Sequence, residues 1–171
     1  MNHPISIEPA DSDDAKAILA IHYAAIRQTA ASSYSQEVIE AWSHNPTDEK
    51  RIQRIKQHWI ENPNHHMVVA KVNDLIVGFG FIHNQGEIQG IYVHPDYGRQ
   101  RIGGQLLMTL EEVEIAAHLS QLRVDSSLNA ELFYKQHGFE VIEYGSHQLN
   151  SGLSVSCVKM HKNLPPLQFS Q

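Results

Sequence analysis

Apolar positions along the chain follow two periods, and the change between them divides it. PISIEP, residues 4–9, alternates and predicts a short first strand. Asp11, Ser12, Asp13 and Asp14 supply a helix start, and Ile18, Ile21, His22, Ala25 and Ile26 follow at helical spacing. A second helix is expected from about Ser35, through Val38, Ile39 and Trp42, and is broken by Asn45-Pro46. Thr47 is placed to cap a third, carrying Ile52, Ile55 and Trp59, which Asn62-Pro63-Asn64 ends. From Met67 the character becomes that of strands. Residues 67–72, 75–83 and 87–93 read as three antiparallel strands joined by turns at Asn73-Asp74 and Asn84-Gln85-Gly86.

The loop HPDYGRQRIGGQLL follows, and the period lengthens again. Leu106, Leu110, Val113 and Ala117 mark one helix face, with Glu111, Glu112 and Glu114 expected to turn away. Residues 121–125 form a short strand, so 87–125 reads as a strand–helix–strand unit with a parallel pair. A helix over 129–137 ends at Gly138. FEVIEYG and LSVSCVKM close the chain as a hairpin. The fold class is therefore α/β with a mixed, mostly antiparallel sheet of six or seven strands and about four helices. One domain is expected over 1–163, with a loose tail over 164–171.

Composition narrows the function classes. The 171 residues are 42% apolar and 19% charged, which suits one domain with a sizeable core. No run approaches the roughly 18 apolar residues of a membrane span, and the polar, acidic start does not resemble a secretory signal. A formal net charge of -6 disfavours general nucleic-acid binding. The one cysteine, Cys157, permits no internal disulfide and fits a reducing, cytoplasmic setting, and it reads as a buried structural thiol with no base in register. The twelve histidines are scattered apart from His65-His66, without metal-ligand spacing, so no metal is expected.

The glycine-bearing loop needs its own account. Gly98 and Gly103 have P-loop spacing, but Gly104-Gln105 stands where a Lys-Ser/Thr pair is required. Gly78-Phe79-Gly80 opens a dinucleotide fingerprint, yet His83 occupies its third glycine position, inside a strand. The order of strand, Pro95, loop, Ile102-Gly103 and apolar helix instead resembles motif A of the Gcn5-related N-acetyltransferases, the GNAT superfamily. That motif is Q/R-x-x-G-x-G/A followed by paired leucines. Gly98, Arg99, Gln100, Arg101, Ile102 and Gly103 align with it, and Gly104 and Leu106-Leu107 follow. Gly98 departs from Gln/Arg, and Arg101 departs from the first glycine. A second match is Tyr134, four residues before Gly138-Phe139. The asparagine that often lies seven residues before that tyrosine is Ser127 here, with Asn129 nearby. The resemblance spans roughly residues 5 to 162, and AASSYSQEVIEAW is similar to a bacterial branch that includes YafP-like proteins.

The resemblance implies acetyl transfer from acetyl-coenzyme A to an amine of a small molecule or peptide. It implies no metal, no nucleic-acid or membrane partner, and admits a homodimer. Backbone N–H groups at the head of a helix suit a pyrophosphate, so Gly98, Arg99, Gln100, Arg101, Gly103 and Gly104 are candidate cofactor residues, with Ser127 and Asn129. The main chain of Ile91, Tyr92 and Val93 would hold the pantetheine arm and polarise the acetyl carbonyl. Tyr134 matches the general acid for the departing thiolate, and Glu87 a general-base position. Read without the resemblance, the loop is equally a solvated turn, Glu87 a strand-start carboxylate and Tyr134 an amphipathic core residue. Period-two alternation puts Glu87 on one face with Gln89, Ile91 and Val93. Tyr34 and Trp42 read either as walls of an acceptor pocket or as core. A non-catalytic acyl-CoA sensor and a protein-interaction module are the alternatives on the same scaffold.

Overall fold

The computed structural model describes residues 4–166. Seven strands form one sheet in the order β1-β2-β3-β4-β5-β7-β6. They are β1 (Ile5–Pro9), β2 (His65–Val72), β3 (Leu75–His83), β4 (Glu87–Val93), β5 (Gln121–Ser127), β6 (Glu140–Gln148) and β7 (Ser154–Asn163). All pairings are antiparallel except β4 with β5. Five α-helices accompany them: α1 (Ala15–Ala25), α2 (Gln36–Trp42), α3 (Glu49–Ile55), α4 (Ile102–Ala116) and α5 (Glu131–Gln136). Both α1 and α3 run on into one wide π-type turn, at Ile26–Ala30 and Lys56–Ile60.

Local chemistry fixes the helix starts. Asp11 accepts from Asp13 N–H at 2.8 Å while Asp14 accepts from Asp11 N–H at 2.8 Å, a reciprocal cap ahead of α1. Ser35 caps α2. The expected cap at Thr47 is corrected to Asp48, whose carboxylate accepts from Lys50 and Arg51 N–H. Thr47 is occupied elsewhere, since its N–H and hydroxyl both donate to Asn45 Oδ1.

The sheet has a core on each side. Alternation in β2 sends Val68, Ala70 and Val72 towards α4, and Met67 and Val69 towards α1 and α3. Gly78 and Gly80 leave α4 room to settle on β3, because a Cβ at either would lie 3.2–3.3 Å from Leu106 or Leu110. Leu106, Leu107 and Leu110 are fully buried there. The exposed face expected of α4 is wrong at one position: Glu114 is 0% exposed, whereas Ala117 lies outside the core. The ridge on the sheet runs Ile102-Leu106-Leu110-Glu114, at i, i+4 spacing throughout. Of the tail expected over 164–171, residues 167–171 lie outside the described residues, while Leu164 is buried and its N–H donates to Ser120 O at 2.8 Å.

Candidate active site

Strands β4 and β5 are in parallel register only at Glu87–Arg123 and Ile88–Val124, and then part. A bulge lies at the divergence. Phe81 pairs with Gly90 and the next residue, Ile82, pairs with Ile88, so Gln89 is an extra residue in β4. It shifts the alternation by one. Ile88, Ile91 and Val93 share the α4 side, and Tyr92 packs with the α1 and α3 side. The expected common face of Glu87, Gln89, Ile91 and Val93 is therefore corrected: Glu87, opposite His83, falls on the side of Phe81 and Tyr92. Gly90 is needed at the bulge. The Tyr92 ring folds back over it, so that a Cβ would lie 2.4 Å from a ring carbon.

Beyond the bulge one edge of β4 is open. His94 N–H donates to Val77 O on β3 at 2.8 Å. Successive N–H groups of a strand point to opposite edges, so Val93 N–H faces the gap. The gap widens into a cleft of about 520 Å³ between the π-type turn after α1, the end of β4, the loop into α4 and the turn into α5. Ile91, Tyr92, Val93, Gly98, Arg99, Gly103, Ser127 and Asn129 all line it, eight of the candidate cofactor residues. Gln100, Arg101 and Gly104 are not among its walls. Gly103 and Gly104 also serve packing: a Cβ on Gly103 would lie 3.2 Å from the Phe133 ring, and one on Gly104 would lie 2.9 Å from His137 Nε2.

The loop is shaped by its arginines as well as its glycines. Arg99 and Arg101 adopt φ of 61° and 63°, left-handed values that glycine takes without cost. Arg101 is the residue immediately before α4, where the motif has glycine. Gly98, by contrast, is extended at φ -60°. Gln105 N–H bonds to Arg101 O, but among the described residues no protein acceptor meets the N–H groups from Arg99 to Gly104. They stand at the positive end of a 15-residue helix.

A smaller cavity of about 320 Å³ adjoins the cleft, sharing Trp42, Ile91, Tyr92, Ser127 and Ala130 with it. Tyr134 and Glu87 both line it, Glu87 from its exposed rim. Tyr134 is 4% exposed and is wedged edge-on against Phe133 and Phe139. Burial raises its phenol pKa, with Tyr92 adding to the shift, so it keeps its proton at neutral pH. Its hydroxyl has no hydrogen-bond partner in the protein among the described residues. Tyr34 is a brace and lines none of these cavities. Its hydroxyl donates to Ser156 O and accepts from Leu128 N–H, each at 2.8 Å, tying the segment before α2 to the turn that carries Asn129.

A third cavity, of about 500 Å³, lies on the α1 and α3 side and shares Trp42 and Tyr92 with both others. Its side chains include His22, His44, Arg51, Trp59, His65 and Phe81. The sequence reading missed this group. The visible signal was that Arg51 directly precedes the buried Ile52 and lies four residues before the buried Ile55, at the margin of the inner face of α3. A further cluster joins three neighbouring strands: Asp125, His147 and Cys157 each bring a ligand-type atom within 4.8 Å of the others. No base stands in register with Cys157, whose partners are Ser127 and Gly145, as expected; Asp125 and His147 approach it from two residues along β5 and β6. The thiol is 1% exposed and burial raises its pKa, the opposite of thiolate activation.

The splayed strand ahead of an open helix head is the arrangement that the motif resemblance implies for an acyl-transferring class. The sequence profile described as Acetyltransferase (GNAT) domain matches residues 30–164, and the chain belongs to the GNAT family of N-acetyltransferases. It is 31% identical over 140 residues to the uncharacterized N-acetyltransferase YafP of Escherichia coli, covering 81% of this chain and 83% of that one. The fold superposes on a GCN5-related N-acetyltransferase from Rhodopseudomonas palustris with a TM-score of 0.84 and 28% identity, over 96% and 99% of the two chains. It also matches the PaiA N-acetyltransferase of Thermoplasma acidophilum, solved in complex with coenzyme A, with a TM-score of 0.71 and 21% identity over 94% and 99%.

Proposed function

We propose that the chain moves the acetyl group of acetyl-coenzyme A to a primary amine of a small molecule or peptide, by direct attack within a ternary complex. The observation that carries this reading is the run of unpartnered N–H groups from Arg99 to Gly104, at a helix head opening beside a splayed strand. A pyrophosphate has the charge and the acceptors to satisfy them. Arg99, on the cleft wall, adds a cation there, and Ser127 and Asn129 contribute polar groups on the facing wall. The loop can tolerate the departures at Gly98 and Arg101 because its donors are main-chain groups. Gln100, Arg101 and Gly104 contribute their N–H groups, and Gly104 additionally admits His137.

The pantetheine arm lies along the open edge of β4, where the main chain of Ile91, Tyr92 and Val93 is exposed to the cleft. Val93 N–H donates to the acetyl carbonyl oxygen as negative charge develops there. The amine arrives protonated and first loses a proton, through water, to Glu87. Its lone pair forms the C–N bond, the C–S bond breaks, and the thiolate takes a proton from the Tyr134 hydroxyl, which is restored by the proton that the new amide nitrogen sheds through water. A buried phenol remains an O–H until that moment.

Two measurements test this. Titration calorimetry with acetyl-coenzyme A gives binding, and absence of binding at millimolar ligand overturns the reading. Tyr134→Phe lowers turnover by about 10²-fold or more while acetyl-coenzyme A affinity changes less than about threefold. A loss confined to affinity would make Tyr134 a packing residue.

A further inference from the structure

The cavity on the α1 and α3 side has an unusual charge inventory. Its walls are Leu19, His22, Ala41, Trp42 and other aromatic, imidazole and amide side chains, with no aspartate or glutamate among them. The one permanent charge is Arg51, which is half-buried. Its guanidinium donates from Nη2 to His44 Nδ1 at 3.0 Å, which fixes that imidazole as a neutral acceptor. No carboxylate lies within ion-pair distance of Arg51 among the described residues. Asp48 acts on Arg51 through space, but its carboxylate is engaged with the first N–H groups of α3. Most of the guanidinium fork is therefore uncommitted at the wall of a cavity.

The histidines do not compensate as cations. His22 is 6% exposed, and burial brings its pKa down to about 3. Burial likewise lowers His44 and His65, with Arg51 pressing further on the first and His83 on the second. The cavity thus holds a single cation inside aromatic walls, Trp42, Trp59, Phe81 and Tyr92. A polyamine would bring two or more positive charges towards Arg51 with no carboxylate on the cavity walls to receive them. A molecule carrying a carboxylate beside its amine reverses that situation, because guanidinium and carboxylate match in charge and in two-pronged geometry.

Position makes this the acceptor's cavity. It meets the cofactor cleft at Trp42 and Tyr92, and it reaches β4 at Gln89, on the bulge where the strand opens. An amine lodged there approaches the thioester from the face opposite α4. We infer that the acetyl acceptor is an amine that also carries a carboxylate, an amino acid with an apolar or aromatic body, and that Arg51 holds the carboxylate. This deepens the acetyl-transfer reading and rests on it.

The test uses matched amines with the full chain: L-phenylalanine against 2-phenylethylamine, L-tryptophan against tryptamine, 6-aminohexanoate against hexylamine, and spermidine as a polycation. Release of free coenzyme A gives kcat/KM for each, and calorimetry gives binding of each amine in the presence of coenzyme A. The expected result is a preference of about tenfold or more for the carboxylated member of at least one pair, with spermidine poorest. Arg51→Gln brings that ratio towards one, and Arg51→Lys retains part of it, with melting temperatures confirming that both variants fold. Preference for the amines without a carboxylate or for spermidine overturns the inference. So does coenzyme A binding with no carboxylated amine bound or turned over, or a ratio unmoved by Arg51→Gln. Failure to bind coenzyme A would strike the acetyl-transfer reading instead, and binding of the amino acids alone, sensitive to Arg51→Gln, would still report on Arg51.

Discussion

Glu114 gives a prediction with a worked sign. Its side chain is fully buried on the inner face of α4, and neither carboxylate oxygen has a partner among the described residues. Burial raises its pKa, against a smaller pull from His66 and His83. An orphaned buried polar group costs about 1–3 kcal/mol, and more once ionised. Glu114→Met removes the polar atoms and supplies a flexible chain that adapts to the space. The expected gain at pH 7 is about 1–3 kcal/mol. For a chain of this length that is a rise in Tm of roughly 2–12 °C. Glu114→Gln removes only the charge, and it isolates the pH-dependent part. A carboxyl whose folded pKa is raised holds its proton in the folded state after the unfolded chain has released it. Its contribution is intact below the ordinary carboxyl value and is lost as pH rises through the raised one. The gap between Glu114→Gln and the parent protein should therefore be small near pH 4, widen as pH rises, and level off once the folded carboxyl has ionised. Thermal melts followed by circular dichroism from pH 4 to pH 8 measure it. A gap independent of pH, or a Glu114→Met protein less stable than the parent at pH 8, refutes the reasoning.

Three further variants test the site's construction. Gly90→Ala places a Cβ 2.4 Å from the Tyr92 ring, so the ring must leave its position between the two cavities. Stability should fall by about 1–3 kcal/mol, and steady-state kinetics should show KM rising for both substrates. Tyr34→Phe deletes two hydrogen bonds, one to Ser156 O on β7 and one from Leu128 N–H at the turn before α5. That should cost about 1–2 kcal/mol in denaturant titration and raise KM for acetyl-coenzyme A. Arg101→Gly relieves a left-handed side chain, worth about 1–2 kcal/mol. The added chain entropy offsets about 0.5–1 kcal/mol of that, so stability should rise by about 0–1.5 kcal/mol. Coenzyme A affinity by calorimetry should fall less than about tenfold if the N–H groups carry the binding, and a collapse would assign it to the guanidinium.

Two strands of the meander were legible to the residue, and the first, expected from Met67, begins two residues earlier at His65. LIVGFGFIH and EIQGIYV have turn residues at both ends, and β3 and β4 span those stretches. The head of α4 was also legible, because a loop that opens a long apolar helix leaves donors free whatever its side chains. Three features escaped. The face of α4 was misjudged because Glu114 keeps the i, i+4 register of the leucines while its charge argues for solvent. The bulge at Gln89 leaves no mark in an alternating string, since the extra residue becomes visible only against its partner strand. The approach of His147 and Asp125 to Cys157 depends on β7 inserting between β5 and β6, a pairing order that local periodicity does not encode.

The bulge also bears on how such a chain can change. Among the described residues the Gln89 side chain makes one hydrogen bond, from its amide to Glu87 O at 3.4 Å, and it is largely in solvent while reaching the edge of two cavities. Its presence still matters as a count. Ile88 and Ile91 stand three apart in the string yet both face α4, because Gln89 is the one residue between them without a partner on β3. Deleting it would leave Ile88, Ile91 and Val93 on that face in plain alternation, with Tyr92 on the other, and would remove the local bend at the point where β4 leaves β5. The side chains would keep their faces and the strand would lose its kink, so what the extra residue contributes is the opening itself.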